Sequence, residues 1–204
     1  MTHRPPPVAG AACITASLAV ATAIARFGAP PFDASVGERS AELRDGAFGD
    51  VMHGLSWVGY APQFAGLVVV VAMGLALAGR RIGAAQLVAV MLVSQAAFGT
   101  LKRLFGRERP EFAERVVGGF AMPSGHATMA FALMTTLLLV EPRLRTWWAA
   151  PVLAAYAVLT AVSRVVLGVH YLTDVVAGAL LGTGCALVVV AASQHLLERR
   201  RAIG

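Results

Sequence analysis

Six stretches of this 204-residue chain contain no Asp, Glu, Lys or Arg and are long enough, or nearly so, to cross a lipid bilayer. About 20 apolar residues span the ~30 Å of hydrocarbon. Inside that layer a helix is the open structure that satisfies all of its own backbone hydrogen bonds. The predicted spans are residues 8–25, 60–79, 82–101, 120–140, 146–162 and 175–193. The pattern predicts an all-α, polytopic membrane protein, a bundle of six transmembrane helices in a single domain over residues 1–204.

Composition and charge exclude several other classes of protein. Hydrophobic residues make up 57% of the chain and charged residues 14%, whereas about 25% of the residues of a soluble domain are charged. That deficit excludes a water-soluble globular protein. Cys13 and Cys185 lie in apolar spans, so we interpret them as buried free thiols. The net charge of +6 comes from clusters between spans, where basic residues orient membrane proteins or contact anionic lipid, and we expect no nucleic-acid partner.

The orientation follows from how acids and bases are distributed. An even number of spans places both termini on the same side of the membrane. Basic residues divide almost evenly between the two predicted sides, so their number does not decide the orientation. The bases on the side of the termini form short clusters with few acids, and those on the other side are mixed with acids. This difference favours cytoplasmic termini. The first span has features of a signal peptide, but its length favours an uncleaved helix.

Polar and ionisable groups cluster at three span ends, all on the side opposite the termini. Ionisable groups near hydrocarbon are costly, which makes such clusters candidates for function. The clusters follow the third span, open the fourth, and connect the fifth to the sixth. They comprise Lys102 with Arg109-Pro110, then Pro123-Ser124-Gly125-His126, then Ser163-Arg164, His170 and Asp174. Because successive helices alternate in direction, we expect these distant segments to meet at one surface.

The basic residues of these clusters suit an anion whose charge is spread over several oxygens, above all a phosphoryl group. Lys102 supplies a point charge, and Arg109 and Arg164 can each clamp two oxygens. The Ser124-Gly125 turn at the start of a helix can direct free backbone N–H groups toward the same anion. We therefore predict that all five residues bind a phosphoryl group.

Two histidines and a carboxylate complete a predicted catalytic set. His170 and Asp174 lie four residues apart, about one helical turn, so the carboxylate can reach one imidazole nitrogen. That bond would fix the tautomer and leave the other nitrogen free to attack phosphorus. His126 is then available to protonate the departing oxygen. These residues predict a two-step route through a phosphohistidine, which requires no metal and no cofactor.

Each cluster taken alone also has a structural explanation. The bases of residues 102–107 fit a basic flank of the third span, and Asp174 fits a charge that stabilises a helix N-terminus. His126 fits a polar residue satisfied within a bundle. The convergence of the clusters on one side favours chemistry instead. His53 and His195 belong to no cation-rich motif, and we interpret them as structural.

Together these motifs resemble the three-part signature of the type 2 phosphatidic acid phosphatases, with every position filled between residues 102 and 174. That superfamily also includes polyprenyl diphosphate phosphatases, glucose-6-phosphatase and the vanadium haloperoxidases. The resemblance implies a metal-independent enzyme, a six-helix bundle in the plasma membrane whose active site faces the periplasm or exterior. It implies His170 as the nucleophile held by Asp174, and His126 as the general acid.

The sequence therefore predicts an integral membrane phosphatase acting on a lipid phosphomonoester or diphosphate. Candidate substrates are phosphatidic acid, phosphatidylglycerol phosphate and undecaprenyl diphosphate. Two alternatives stay open. One is a vanadate-dependent haloperoxidase, against which the membrane character argues. The other is a non-catalytic lipid-phosphate binding or transport protein, for which the cations alone would suffice. The preferred lipid and the oligomeric state have no signal in the sequence.

Overall fold

The computed structural model describes residues 7–114 and 118–203. Within these residues the chain forms eight α-helices and one short 3₁₀ turn, without strands. The helices are α1 (Pro7–Phe27), α2 (Pro31–Ala41), α3 (Gly46–Val58), α4 (Ala61–Leu77), α5 (Arg81–Phe105), α6 (Gly125–Val140), α7 (Ala149–Val166) and α8 (Leu172–Ile203). The 3₁₀ turn, Pro142–Leu144, follows α6.

Each predicted span overlaps one of these helices, which confirms the all-α membrane fold. By length and hydropathy α1, α5, α7 and α8 each suffice to cross a membrane. Helices α3 and α4 meet that criterion together, as a pair bent by 70°, and α6 is apolar with 16 residues. Helices α2 and α3 occupy most of the segment between the first two predicted spans.

The start of α6 differs from the prediction, because the helix begins five residues later than the predicted fourth span. Residues 120–124 form a non-helical turn instead. The Ala121 N–H donates to the Arg107 carbonyl at 2.7 Å, and the Ser124 N–H donates to the Asp174 carbonyl at 2.9 Å. These residues are mostly apolar, so hydropathy extends the span over them although their backbone groups bond to other segments.

Helix α8 is central to the bundle and packs against α1, α5 and α6. Its contact with α6 depends on two small residues. A Cβ atom added at Gly182 would lie 2.0 Å from the Thr128 carbonyl oxygen, and one at Gly178 would lie 2.6 Å from the Ser124 carbonyl oxygen. Such close backbone approach is what a small-x-x-x-small pair permits in membrane helices. It draws the first turn of α8 against the first turn of α6.

Two glycines turn the chain at the end of the bundle where the clusters lie. Gly106 ends α5 with φ of 59°, and Gly168 follows α7 with φ of 67°. Both conformations are left-handed, which costs a glycine little. After these turns the two connections meet, and Nη1 of Arg109 donates to the Val169 carbonyl at 2.7 Å.

Candidate active site

The three polar clusters meet at one end of the bundle. Lys102 comes from the last turn of α5, Arg164 from the last turn of α7, and His126 from the first turn of α6. Arg109 lies in the connection after α5, and His170 lies between α7 and α8. All five residues line one cavity of about 690 Å³. The expected convergence is present, and the chemical roles of these residues stay predictions.

His170 and Asp174 form the hydrogen-bonded pair that their spacing predicts. Nδ1 of His170 lies 3.3 Å from Oδ2 of Asp174, and Nε2 lies 3.2 Å from Nη1 of Arg109. A guanidinium only donates, so Nε2 is the acceptor and the proton of neutral His170 is on Nδ1. The Nδ1–H group therefore donates to Asp174, and the Nε2 lone pair faces the cations. Both side chains are buried.

Burial is the largest influence on the charge of His170, and it lowers the pKa of the imidazole well below its usual value. Lys102, Arg109 and Arg164 lower this pKa further, because each disfavours another positive charge nearby. Burial also lowers the pKa of Arg109, and the Asp174 carboxylate opposes that shift. His170 is therefore neutral at neutral pH, the state in which its lone pair can attack phosphorus.

Backbone carbonyls of residues 118–121 hold two of the cations. Lys102 Nζ donates to the Ala121 carbonyl at 3.2 Å. Arg109 Nε donates to the Gly119 carbonyl at 3.0 Å. The carbonyls carry partial negative charge, which reduces the repulsion between the neighbouring cations. They also fix the direction in which each cation presents its remaining N–H groups.

The bend between α3 and α4 holds His126 and Arg164. Nε2 of His126 donates to the Ser56 carbonyl at 3.1 Å, and Nη1 of Arg164 donates to the Ser56 hydroxyl. A Cβ atom at Gly59 would lie 2.2 Å from Cδ2 of His126, and the Tyr60 ring meets the imidazole edge-on with 5.2 Å between centroids. Ser56, Gly59 and Tyr60 therefore orient two predicted site residues. No sequence signal marked them, because they lie in a mostly apolar stretch far from the motifs.

Ser124 and Gly125 begin α6 beside the cavity. Gly125 lines the cavity, and Ser124, the N-cap residue, is fully buried. The Ser124 hydroxyl has no hydrogen-bond partner among the residues that the structure describes. A Cβ atom at Gly125 would lie 3.0 Å from the Phe98 ring, so a larger residue would crowd this helix start. The first-turn N–H groups of α6 have no partners within the helix and suit an anion.

Arg107 and Asp33 reach the site although neither was a predicted site residue. The basic-flank interpretation fits Arg103, which is exposed, but is wrong for Arg107. The Arg107 side chain is 10% exposed and donates to Oδ1 of Asp174 at 2.5 Å and to Oδ2 of Asp33 at 2.8 Å. Asp33 is fully buried at the start of α2. It lies in a segment without any motif, so only the folded chain reveals this contact.

The remaining described histidines do not line the cavity. His53 pairs with Glu114 at 3.2 Å, and His195 is exposed on α8. Both positions agree with the structural interpretation. Within residues 7–114 and 118–203, no three His, Cys, Asp or Glu side chains cluster as metal ligands do. Independence from metal stays a prediction.

From the cations, the cavity continues as an apolar groove between α4 and α5. Its wall includes Phe64, Ala65, Val68, Val69, Ala72 and Met73 on α4, and Val88, Met91 and Leu92 on α5. From Ala61 to Met73 this wall follows α4 for about 18 Å, at the 1.5 Å rise of a helix. That length exceeds half of the ~30 Å hydrocarbon layer. A groove of this depth with cations at one end is complementary to an amphiphile with an anionic head.

Comparison with known proteins identifies lipid phosphatases that are similar to this chain. Residues 83–197 match the sequence model of the PAP2 superfamily. Phosphatidylglycerophosphatase B of Bacillus subtilis is 26% identical over 174 residues, which cover 81% of this chain and 85% of that protein. A lipid A 4'-phosphatase of Rhizobium leguminosarum is 38% identical over 117 residues, which cover 50% of this chain and 48% of that protein. These relatives support a membrane-bound lipid phosphatase.

The fold is shared with solved membrane phosphatases. The crystal structure of a transmembrane PAP2-type phosphatidylglycerolphosphate phosphatase from Bacillus subtilis matches with a TM-score of 0.78 and 24% identity, covering 93% of this chain and 96% of that one. The crystal structure of Aquifex aeolicus LpxE matches with a TM-score of 0.67 and 20% identity, covering 78% of this chain and 95% of that one. The similarity therefore extends over nearly the whole bundle.

The charge state of His170 can be measured directly. In protein labelled with ¹⁵N-histidine, the His170 nitrogen shifts will not titrate near the usual imidazole pKa of about 6.5, because burial and three cations disfavour the imidazolium. Lys102→Gln will raise the pKa of His170, since one repulsive charge is removed, and Arg103→Gln on the exposed side of the same turn will not. A normal His170 titration in the unchanged protein would contradict this account.

Proposed function

The chain belongs to the PAP2 superfamily, and from this premise we propose that it is an integral membrane phosphatase that removes a terminal phosphate from a lipid phosphomonoester or diphosphate. The observation that carries the proposal is a buried, neutral imidazole that faces cations at the end of an apolar groove. The imidazole supplies the nucleophile, the cations bind the phosphoryl group, and the groove accepts a lipid tail.

Binding of the phosphoryl group uses the cations and the start of α6. Lys102, Arg109 and Arg164 line the cavity and offer charge-assisted hydrogen bonds to several oxygens at once. The Gly125 N–H at the helix N-terminus adds a donor and the positive end of the helix dipole. The buried Ser124 hydroxyl, which lacks a partner among the described residues, is a further donor. Charge that develops on phosphorus oxygens in the transition state then meets donors already oriented toward it.

The first chemical step transfers the phosphoryl group to His170. Its Nε2 lone pair attacks phosphorus, a P–N bond forms, and the P–O bond to the lipid breaks. The Nδ1 proton stays on His170, where it donates to Asp174, and the carboxylate stabilises the positive charge that develops on the ring. His126, whose Nε2–H is held by the Ser56 carbonyl, acts in its doubly protonated form, which the negative charge of the bound phosphoryl group stabilises, and its Nδ1 proton passes to the departing lipid oxygen.

The second step returns the enzyme to its resting state. His126, now neutral, accepts a proton from a water molecule on Nδ1 as the water oxygen attacks phosphorus. The P–N bond breaks, inorganic phosphate leaves, and the electron pair returns to Nε2 of His170. Both steps use side chains alone, so we propose a reaction independent of metal ions and cofactors.

The groove supports lateral access of the lipid from the bilayer. Its apolar wall allows a tail to stay in hydrocarbon while the head reaches the cations. Among the substrates considered, the name of the Bacillus subtilis relative favours phosphatidylglycerol phosphate. Phosphatidic acid, undecaprenyl diphosphate and, from the names of other relatives, lipid A complete the panel to be compared.

We also propose a location and an orientation for the enzyme in the membrane. Residues 1–204 act as one domain in the plasma membrane, with cytoplasmic termini and an active site that faces the periplasm or exterior. The full set of nucleophile, orienting carboxylate and second histidine exceeds what binding alone needs, which weighs against a non-catalytic lipid carrier. The apolar helices weigh against a haloperoxidase.

His170→Ala will abolish the release of inorganic phosphate from the lipid panel, because the nucleophile is removed. Asp174→Asn will lower kcat by about 10³- to 10⁴-fold, as expected when an imidazole loses the carboxylate that orients it. Release is measured in mixed micelles, and a rapid alkaline quench, in which the P–N bond of phosphohistidine survives, will trap phosphate on a histidine in the unchanged enzyme.

His195→Ala is the matched control, because it removes an exposed histidine that does not line the cavity. Its activity will equal that of the unchanged enzyme, and EDTA will inhibit neither protein. Turnover retained by a folded His170→Ala protein would refute the assignment of the nucleophile.

Binding of the lipid tail in the groove is tested by a substitution that fills the groove. Ala65→Trp places a large ring on the exposed groove wall of α4 and will raise the KM for a long-chain lipid phosphate by about tenfold, which corresponds to about 1.4 kcal/mol. The same change will leave the hydrolysis of a short, water-soluble phosphomonoester unaltered. Val70→Trp, at a position that is 62% exposed and does not line the cavity, is the control. Equal effects of both variants, or none, would show that the lipid tail binds elsewhere.

A further inference from the structure

We propose that Arg107 and Asp33 are positioning residues that set the proton affinity of the His170–Asp174 pair. Arg107 acts on Asp174 directly, and Asp33 acts by balancing the charge of Arg107. The inference rests on the proposed function of the same site, because it concerns how the nucleophile of that reaction is held ready.

The two oxygens of Asp174 have separate partners. Oδ2 accepts from Nδ1 of His170 at 3.3 Å and from the Tyr171 N–H at 2.9 Å. Oδ1 accepts from Nη1 of Arg107 at 2.5 Å. One carboxylate is thus shared between the nucleophile on one side and a guanidinium on the other. The Arg107 charge lowers the affinity of the pair for a proton, because it stabilises the ionised carboxylate.

Asp33 holds the other side of Arg107. Its Oδ2 accepts from Nη2 of Arg107 at 2.8 Å, and its carboxylate also accepts from the Thr173 N–H at 3.0 Å and from the Thr173 hydroxyl at 2.5 Å. The Arg107 guanidinium lies 4.2 Å from the centre of the Tyr171 ring, which restricts its plane. Asp33 therefore joins α2 to the first turn of α8 at the residue next to Asp174.

The geometry produces a row of alternating charges in a buried setting, from Asp33 through Arg107 to Asp174 and then to His170. Asp33 and Asp174 are fully buried, and the Arg107 side chain is 10% exposed. Charges that are removed from water interact strongly, so the loss of one member changes the others.

Other charged or titratable groups also face the pair. Lys102 on α5, Arg109 after α5, and Arg164 on α7 act on His170 from the cavity side. His126 on α6 lines the same cavity, and the Tyr171 hydroxyl lies on the loop that carries His170. These groups are unchanged in the variants below, so they shift all of the compared profiles equally.

A residue that only held the fold together would not shift the pH profile in a direction set by its charge. Removal of the Arg107 cation raises the proton affinity of the pair, so the acid limb of kcat/KM moves to higher pH. Removal of the Asp33 anion leaves Arg107 uncompensated, so the proton affinity falls and the acid limb moves to lower pH. The two single variants are therefore expected to shift the limb in opposite directions.

The experiment compares Arg107→Gln, Arg107→Lys, Asp33→Asn and the double variant of Asp33→Asn with Arg107→Gln in the full-length protein. Phosphate release from phosphatidylglycerol phosphate in mixed micelles gives kcat and KM against pH. The ¹⁵N shifts of His170 report its protonation without turnover. Arg103→Gln and Asp50→Asn remove an exposed cation and an exposed anion and serve as matched controls.

We expect Arg107→Gln to move the acid limb and the His170 titration up by about one pH unit. It will lower kcat by about 100-fold through misplacement of the imidazole, with KM changed less than about threefold. Asp33→Asn will move the acid limb of kcat/KM and the His170 titration to lower pH. Arg107→Lys will keep most of the kcat of the unchanged protein. The double variant will return the His170 titration toward that of the unchanged protein. The two controls will alter neither the limb nor kcat.

Shifts in the same direction for both single variants, or none in either, would overturn the proposal, as would equal shifts in the controls. If a single variant does not fold, the double variant and Arg107→Lys decide, because the first removes one cation and one anion together and so keeps the net charge of the row, and the second keeps the cation. An unchanged protein that hydrolyses no lipid of the panel would refute the proposed function instead, and the His170 titration would still test the charge row.

Discussion

The arrangement of the site depends on the Asp174 carboxylate, which is fully buried in the first turn of α8. It accepts from His170, from the Tyr171 N–H and from Arg107, while the backbone carbonyl of the same residue accepts from the Ser124 N–H of α6. A buried carboxylate is tolerated only where such donors replace water. The same contacts that satisfy its charge therefore bring the proposed nucleophile His170, the start of α6 and the connection after α5 to one point.

The cations around the cavity pose the opposite problem, because several positive groups lie close together and repel one another. The protein meets it with neutral acceptors. Carbonyls of residues 118–121 hold Lys102 and Arg109, and the Ser56 hydroxyl holds Arg164. Because these acceptors carry no full charge, the cations keep most of their attraction for an anion, such as the phosphoryl group of the proposed substrate. An orienting shell of carboxylates on the cavity side would have weakened that attraction.

Much of this could be predicted from the chain alone. Uncharged runs of about 20 residues predict membrane helices because hydrocarbon tolerates little else, and α1 and α4–α8 lie at the predicted spans. Alternating helix directions then place the ends of α5, α6 and α7 together. The four-residue spacing of His170 and Asp174 predicts their hydrogen bond, which is present although α8 begins only at Leu172 and leaves His170 in the connection before the helix.

Other features have no local signal. The bend between α3 and α4, which brings Ser56 and Gly59 to His126, depends on packing between helices and not on the hydropathy of either one. Asp33 contacts Arg107 and Thr173 across a long stretch of chain, and a single acid in a polar segment is common. The turn at residues 120–124 cannot be recognised from hydropathy, because the residues there are mostly apolar and their contacts with other segments are made by backbone groups.

The central claim is that these segments form one cationic cup around the Nε2 atom of His170. A crystal structure of the protein with vanadate, a phosphate mimic, tests it most directly. The account predicts vanadium at covalent distance from Nε2 of His170, with vanadate oxygens in hydrogen bonds to Arg109, Arg164 and Lys102. Vanadate bound to another side chain, or an occupied site in which His170 faces away from the oxyanion, would contradict it.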